Sequence, residues 1–294
     1  MRLSVMLAAA AAFLVAAQSV AAQGPAAAAA GPTYADLADL ALAAPVVAHV
    51  RVRDADTLSE REAPTVPEGY RRFLVEAEVV ALIRAPGGLP ARVSYLVDLP
   101  NDARGRAARL RDRTELLVLA SAVPGPPDEL RLIAPDAQLP YSAAAADSLR
   151  AILGEAASAA APPRITGIGR AFHVPGSLPG ESETQIFLQT EDDRPISLTV
   201  LRRPGERPRW AVALGEMVDN SAAPPEPETL LWYRLACTLP ASLPRQSLSD
   251  ASPEEARAIA ADYRLVIEGL GRGARNRGWF RSSPAWLEPL SAMD

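Results

Sequence analysis

Alternation of apolar and polar positions with period two dominates the first half of the chain. Val46–Arg53 (VVAHVRVR) sets Val46, Ala48, Val50 and Val52 on one face and His49, Arg51 and Arg53 on the other. Arg72–Ile83 repeats this, with Phe73, Val75, Ala77, Val79 and Ala81 against Glu76 and Glu78. Ala91–Leu99 aligns Val93, Tyr95, Val97 and Leu99. Glu115–Ala120 (ELLVLA) and Leu130–Ala134 (LRLIA) are shorter apolar runs. Polar or Pro/Gly-rich stretches separate these segments: Leu58–Gly69, Pro86-Gly87-Gly88, the Arg-rich Asn101–Arg113 and Pro124–Pro127. The pattern predicts five strands. A helix precedes them, with Thr33 as N-cap, Asp36 three residues on and Leu37, Leu40 and Ala41 as its stripe, ended by Pro45. Another follows over Ser142–Ala159, with Leu149, Ile152 and Leu153 inside.

Beyond Ala156–Pro163 (AASAAAPP), read as the domain boundary, strand patterns resume. Ile165–Val174 is interrupted by two glycines. Thr184–Thr190 and Ile196–Leu201 flank a five-residue turn, and Arg202–Pro208 turns into Arg209–Leu214, which predicts a three-stranded meander. Leu230–Leu239 (LLWYRLACTL) is buried, but its periodicity fits strand or helix. Ser252, Pro253 and Glu255 then spell N-cap, N1 and capping-box partner of a helix. Its stripe is Ala256, Ile259, Ala260, Tyr263, Ile267 and Leu270, and Gly269 or Gly271 ends it.

The expected class is mainly β with flanking helices (α+β): an OB-like five-stranded barrel over 33–160, then a second antiparallel β domain with a C-terminal helix over 161–271. Closing the strands into a barrel removes exposed edges. By pattern, the first half resembles OB-folds of the tissue-inhibitor-like and netrin-like kind. The Cys pairs of extracellular netrin-like modules are absent, so their protease-inhibitor role does not carry over. The stretches YADLADLALAAPVVAHVRVRDADTL, QIFLQTEDDRPISLTVLRRPGERPRW and TLLWYRLACTLP resemble uncharacterised exported proteins of sphingomonad-type alphaproteobacteria. That resemblance implies export and a two-domain body, and no known activity.

Residues 1–22 read as a Sec-type signal peptide: Arg2, an apolar stretch Leu3–Ala16, then Val20 and Ala22 before cleavage at Gln23. The expected location is the periplasm, or outside the cell, with no transmembrane span after cleavage. Residues 23–32 form an Ala-rich linker.

Composition narrows the chemistry. The 294 residues are 49% hydrophobic, enough for a packed core, with a net charge of -5 that argues against nucleic acid as a partner. With two His and one Cys there is no intrachain disulfide, and no zinc site of four Cys, two Cys with two His, or three His. No G-x-S-x-G elbow exists, and a chain without Lys has no phosphate-binding G-x-x-x-x-G-K-[ST] loop. Cys237, in its apolar run, reads as a buried small hydrophobe. Phe172-His173 with Gln185-Ile186-Phe187 has a faint likeness to prolyl isomerases of the cyclophilin type, but Val174 stands where their arginine would be.

His49, on a polar strand face, reads as a surface or interface residue. His173 precedes a Pro/Gly turn (HVPGSLPG), where polar side chains converge. A tail over 272–294, loosely attached, interleaves Arg272, Arg275 and Arg277 with Trp279 and Trp286, a composition suited to an acidic partner or an anionic membrane surface. No cofactor is expected. The expected role is a non-catalytic binding or scaffolding module of the cell envelope with an envelope protein as partner. The alternative is a periplasmic hydrolase or isomerase with a carboxylate- or His173-based site in the second domain.

Overall fold

A computed structural model describes residues 31–101, 105–106, 110–215 and 223–276. The expected signal segment, nearly all of the expected Ala-rich linker, and Arg277, Trp279 and Trp286 lie outside the described residues. Pro32 onward belongs to one compact unit.

Helix α1 (Tyr34–Ala43) opens it, with Thr33 and Asp36 closing a reciprocal capping box. Strands β1 (Val46–Thr57), β2 (Tyr70–Arg84) and β3 (Arg92–Pro100) form an antiparallel meander. Strand β4 (Glu115–Ala122) pairs antiparallel with β1 and with β5 (Glu129–Leu132), and β5 lies parallel to β3. The circuit β1-β2-β3-β5-β4-β1 closes a five-stranded barrel in the OB-like order. Its interior takes the alternating set: Val46, Ala48, Val50, Val52, Phe73, Val75, Ala77, Val93, Tyr95 and Val97, with Leu116, Val118 and Ala120 from β4. Alternation thus set the register as expected, since a slip of one residue would turn each strand inside out.

The other face of β1 and β4 is buried too. Val47, Leu117 and Leu119 pack under α1 and helix α2 (Ala143–Ala157), whose Leu149 and Ile152 face them. This double burial explains the unbroken apolar run ELLVLA. A three-residue strand β6 (Gln138–Pro140), too short to carry a pattern, adds to β4.

The second sheet has four strands, one more than the expected meander. They are β7 (Ile165–Pro175), β8 (Ser182–Thr190), β9 (Ile196–Arg202) and β10 (Arg209–Ala213), in antiparallel order β10-β9-β8-β7. The glycines of β7 sit at its register shifts between Ile165 and Gly167 and between Ile168 and Ala171. An added Cβ at Gly167 would lie 2.5 Å from Gln189 Oε1. Each shift turns the strand over, so the two cancel, and Ala171 and His173 return to the face of Ile165. Helix α3 (Leu230–Thr238) settles the ambiguous apolar segment, and α4 (Pro253–Leu270) carries the expected capping box of Ser252 and Glu255. Ile259, Tyr263, Val266 and Leu270 of α4 and Leu235 of α3 cover Ile186, Leu198 and Val200 of the sheet.

The halves are joined by polar contacts rather than a loose linker. Pro162 and Pro163 of the expected boundary are buried. Glu155 Oε2 accepts from Leu230 N–H at 2.8 Å, and Asp39 accepts from the Tyr233 hydroxyl at 2.5 Å. The start of the tail is bound as well, contrary to expectation. Arg275 donates to Asp39 through Nε and Nη2, Asn276 N–H to Asp36, and Thr33 Oγ1 to the Ala274 carbonyl at 2.6 Å.

Candidate functional site

His173 is opposite Thr184 on the neighbouring strand, and Arg202 is opposite Ser182 one strand further. All four lie at one end of the sheet, beside α4. Thr184 begins the inward-facing series Thr184, Ile186, Leu188 and is fully buried. Asp262 reaches the same point from α4, where it lies among Ile259, Tyr263 and Val266 on the buried face at 1% exposure.

These groups form a hydrogen-bonded chain. The Thr184 hydroxyl donates to Asp262 Oδ2 at 2.5 Å. A hydroxyl has one proton, so Oγ1 is the acceptor in its 2.8 Å contact with His173 Nδ1. The imidazole therefore carries its proton on Nδ1 there. Arg202 closes the chain, with Nε 2.7 Å and Nη2 2.5 Å from Asp262 Oδ1. The buried carboxylate is thus paired and hydrogen-bonded, the condition for keeping a charge inside.

His173 and Arg202 line a cleft of about 460 Å³ with Glu181, Ser182 and the small side chains Ala258 and Ala261 of α4; Pro175 and Gly180 complete it. The turn before β8 is built on Glu181. Its Oε2 accepts from Ser177 and Leu178 N–H at 3.1 and 3.3 Å, and its carbonyl accepts from Gly176 N–H. A Cβ at Gly176 would fall 2.3 Å from Glu181 Cγ, so the turn needs glycine to hold that carboxylate. Among the described residues, His173 Nε2 and Glu181 Oε1 make no hydrogen bond. Glu255, one turn before Ala258, is held below the usual carboxylate range by the Ser252 backbone, then by the Ser252 hydroxyl and in smaller part by His173.

The arrangement can present a fixed imidazole lone pair to a solvent-open cleft. It differs from a serine-hydrolase triad. There the hydroxyl nucleophile sits on Nε2 and the acid on Nδ1. Here a buried hydroxyl stands between Nδ1 and the acid, and Nε2 has no partner among the described residues.

His49 has the opposite fate. It is 7% exposed, stacked on Tyr141 at 3.8 Å and bonded to Glu115 Oε2 at 3.1 Å. The polar strand face that sequence assigned to the surface is roofed there by Tyr141. Arg272 is exposed, whereas Arg275, expected to face a partner, is held by Asp39. The structure does not bring Arg272 or Arg275 to His173. Cys237, expected to be buried, is half-buried, and burial pushes its thiol up. Among the described residues, no three His, Cys, Asp or Glu come together as a metal cluster. Sequence reading missed Thr184, Asp262, Arg202 and Glu181. One signal was available: an acid on the apolar stripe of α4.

The fold and site define an OB-like barrel joined to a helix-covered sheet with a His173 cleft. No family model matches the chain, and no curated protein matches it.

Proposed function

We propose that the protein is an exported, non-catalytic binding module of the cell envelope, with the His173 cleft as its ligand seat. One observation carries this reading: a buried relay, Asp262–Thr184, fixes His173 at an open cleft with no nucleophile on its outward nitrogen. With Nδ1 committed to Thr184, Nε2 is the ring atom left to meet a ligand. The export rests on the N-terminal sequence alone.

The test uses the scarcity of histidine. With two His in the chain, ¹⁵N-histidine spectra contain two rings, told apart by His173→Gln. A small-solute extract of the envelope is expected to move the His173 ring and leave His49 still. If no fraction moves His173, the reading fails. Turnover of an envelope substrate abolished by His173→Gln would replace it with the hydrolase or isomerase alternative, which the acid behind the imidazole favours. For export, the N-terminal sequence of the envelope-fraction protein is expected to start near Gln23; an unprocessed, cytosolic product overturns that part.

A further inference from the structure

We infer that the His173 cleft takes a short amino acid in its zwitterionic form, with the carboxylate on Arg202 and Ser182 and the ammonium on Glu181. The inference rests on the binding reading above and names its ligand class.

Two opposite charges line this cleft, and each is held by partners behind the lining. Arg202 gives its Nε–H and one Nη2–H to Asp262, which fixes the guanidinium plane and leaves three of its five N–H donors unused. Ser182 is opposite Arg202 in the strand pairing and shares a face with Thr184, so its hydroxyl stands beside those donors. Glu181 has one oxygen tied down by the Ser177 and Leu178 N–H groups, which orients the carboxylate. Among the described residues, Glu181 and Arg202 make no ion pair with each other, although both line the same cleft of about 460 Å³. The surroundings add little net charge. Arg202 and Asp262 offset each other, and α4 contributes one charge of each sign, with Glu255 one turn from Ala258 and Arg257 one turn from Ala261. Whichever state the His173 ring takes, the sum stays within one charge of zero. Local donors and acceptors, rather than bulk charge, therefore select the ligand.

A zwitterion answers both walls at once. Its carboxylate accepts from the free N–H groups of Arg202 and from the Ser182 hydroxyl, and its ammonium donates to the free oxygen of Glu181. A plain amine would cover the Arg202 and Ser182 donors without giving them an acceptor. A plain carboxylate would meet the like charge of Glu181 with nothing to offset it. A neutral polyol matches the hydrogen bonds and neither charge, and so forgoes the stronger charge-assisted bonds. The remaining walls, Pro175, Ala258 and Ala261, are small and apolar and suit the few methylenes between the two charged ends.

The test titrates the full mature chain with glycine, β-alanine and 4-aminobutyrate, which differ in the spacing of their charges. n-Butylammonium and butyrate carry one charge each, and glycerol carries none. Binding is read at the His173 ring by ¹⁵N spectra, with an envelope-extract screen run alongside. At least one amino acid is expected to saturate a shift that the three controls do not produce. Glu181→Gln and Arg202→Lys are each expected to weaken that amino acid at least tenfold. Gln keeps an oxygen for the Ser177 and Leu178 N–H groups, and Lys keeps a cation on Asp262 without the outward fork. A native melting curve shows which variant is folded, and a folded one decides. Full affinity in a folded Glu181→Gln or Arg202→Lys overturns the inference. A control that binds as well as the amino acids overturns it and leaves the binding reading standing. So does a response to the extract with none to the amino acids. Silence of His173 toward probes and extract alike overturns both readings.

Discussion

Asp262 occupies a position where an amphipathic helix ordinarily carries a hydrophobe, and its neighbours explain how it is tolerated. Thr184 and Arg202 satisfy both of its oxygens. Asp262→Ala strands a buried hydroxyl and a half-buried guanidinium, and is expected to cost roughly 2–4 kcal/mol in urea unfolding. Replacing Thr184, Arg202 and Asp262 together by Val, Met and Leu is expected to recover most of that loss, since an apolar trio leaves nothing unpaired. Thr184→Val alone is a finer probe. It is expected to cost about 1 kcal/mol and to release His173 from one tautomer, which ¹⁵N shifts read directly. Arg51 first, and His49 after it, hold Glu115 below its ordinary value of 4.5. A carboxylate depressed in the fold contributes stability above its unfolded value and loses it as pH falls through the folded one. Glu115→Gln is therefore expected to flatten the decline in urea midpoint below about pH 4.5. An unchanged acid limb would show that the pair does not couple to folding.

At the scale of elements, most of the structure was legible. The capping boxes at Thr33 and Ser252 begin their helices where sequence put them, because side chain and backbone meet within three residues. Strands β1, β2 and β3 were legible because outward positions such as Arg51, Arg53, Glu76 and Glu78 are polar, and β4 because it is an unbroken apolar run. Legibility failed where the determining contact is distant. Leu230–Thr238 packs on both halves, so its apolar residues encircle it and hide the period. The Arg275–Asp39 pair spans 236 positions and leaves no local mark. Asp262 appears in the pattern only as a fault in the stripe, and the Thr184 that excuses it lies on another element. Helix packing also reverses a propensity rule. Gly269→Ala would add up to about 1 kcal/mol to an isolated helix. In this protein the new Cβ would lie 2.5 Å from Trp210 Nε1, so a net loss of roughly 1–2 kcal/mol is expected in thermal unfolding. Adding Trp210→Phe removes the clashing indole nitrogen and is expected to restore part of it.

At the scale of the whole molecule, Asp39 ties the barrel side to the sheet side through Tyr233 and Arg275. The two Trp among the described residues, Trp210 on β10 and Trp232 on α3, lie beyond the barrel, so the fluorescence they contribute follows the second half while far-ultraviolet dichroism follows both. In the unaltered protein the two signals are expected to change together in urea. Asp39→Ala is expected to separate them into two transitions. Coincident curves in a destabilised Asp39→Ala would mean that the remaining contacts, Glu155–Leu230 and the apolar ones, suffice to couple the halves.

The hydrogen bond from Thr33 to the Ala274 carbonyl brings the two ends of the described body side by side. Adjacent ends make the order of segments along the polypeptide a matter of choice rather than of architecture. A short Gly/Ser bridge from residue 276 to residue 33, with new ends opened at the exposed turn around Gly205, would rewrite the sequence as a circle cut elsewhere. Such a permuted chain is expected to keep both sheets and the native melting profile, with the His173 cleft unchanged. Residues 33 and 276, at the ends of the described body, are thus available as attachment points.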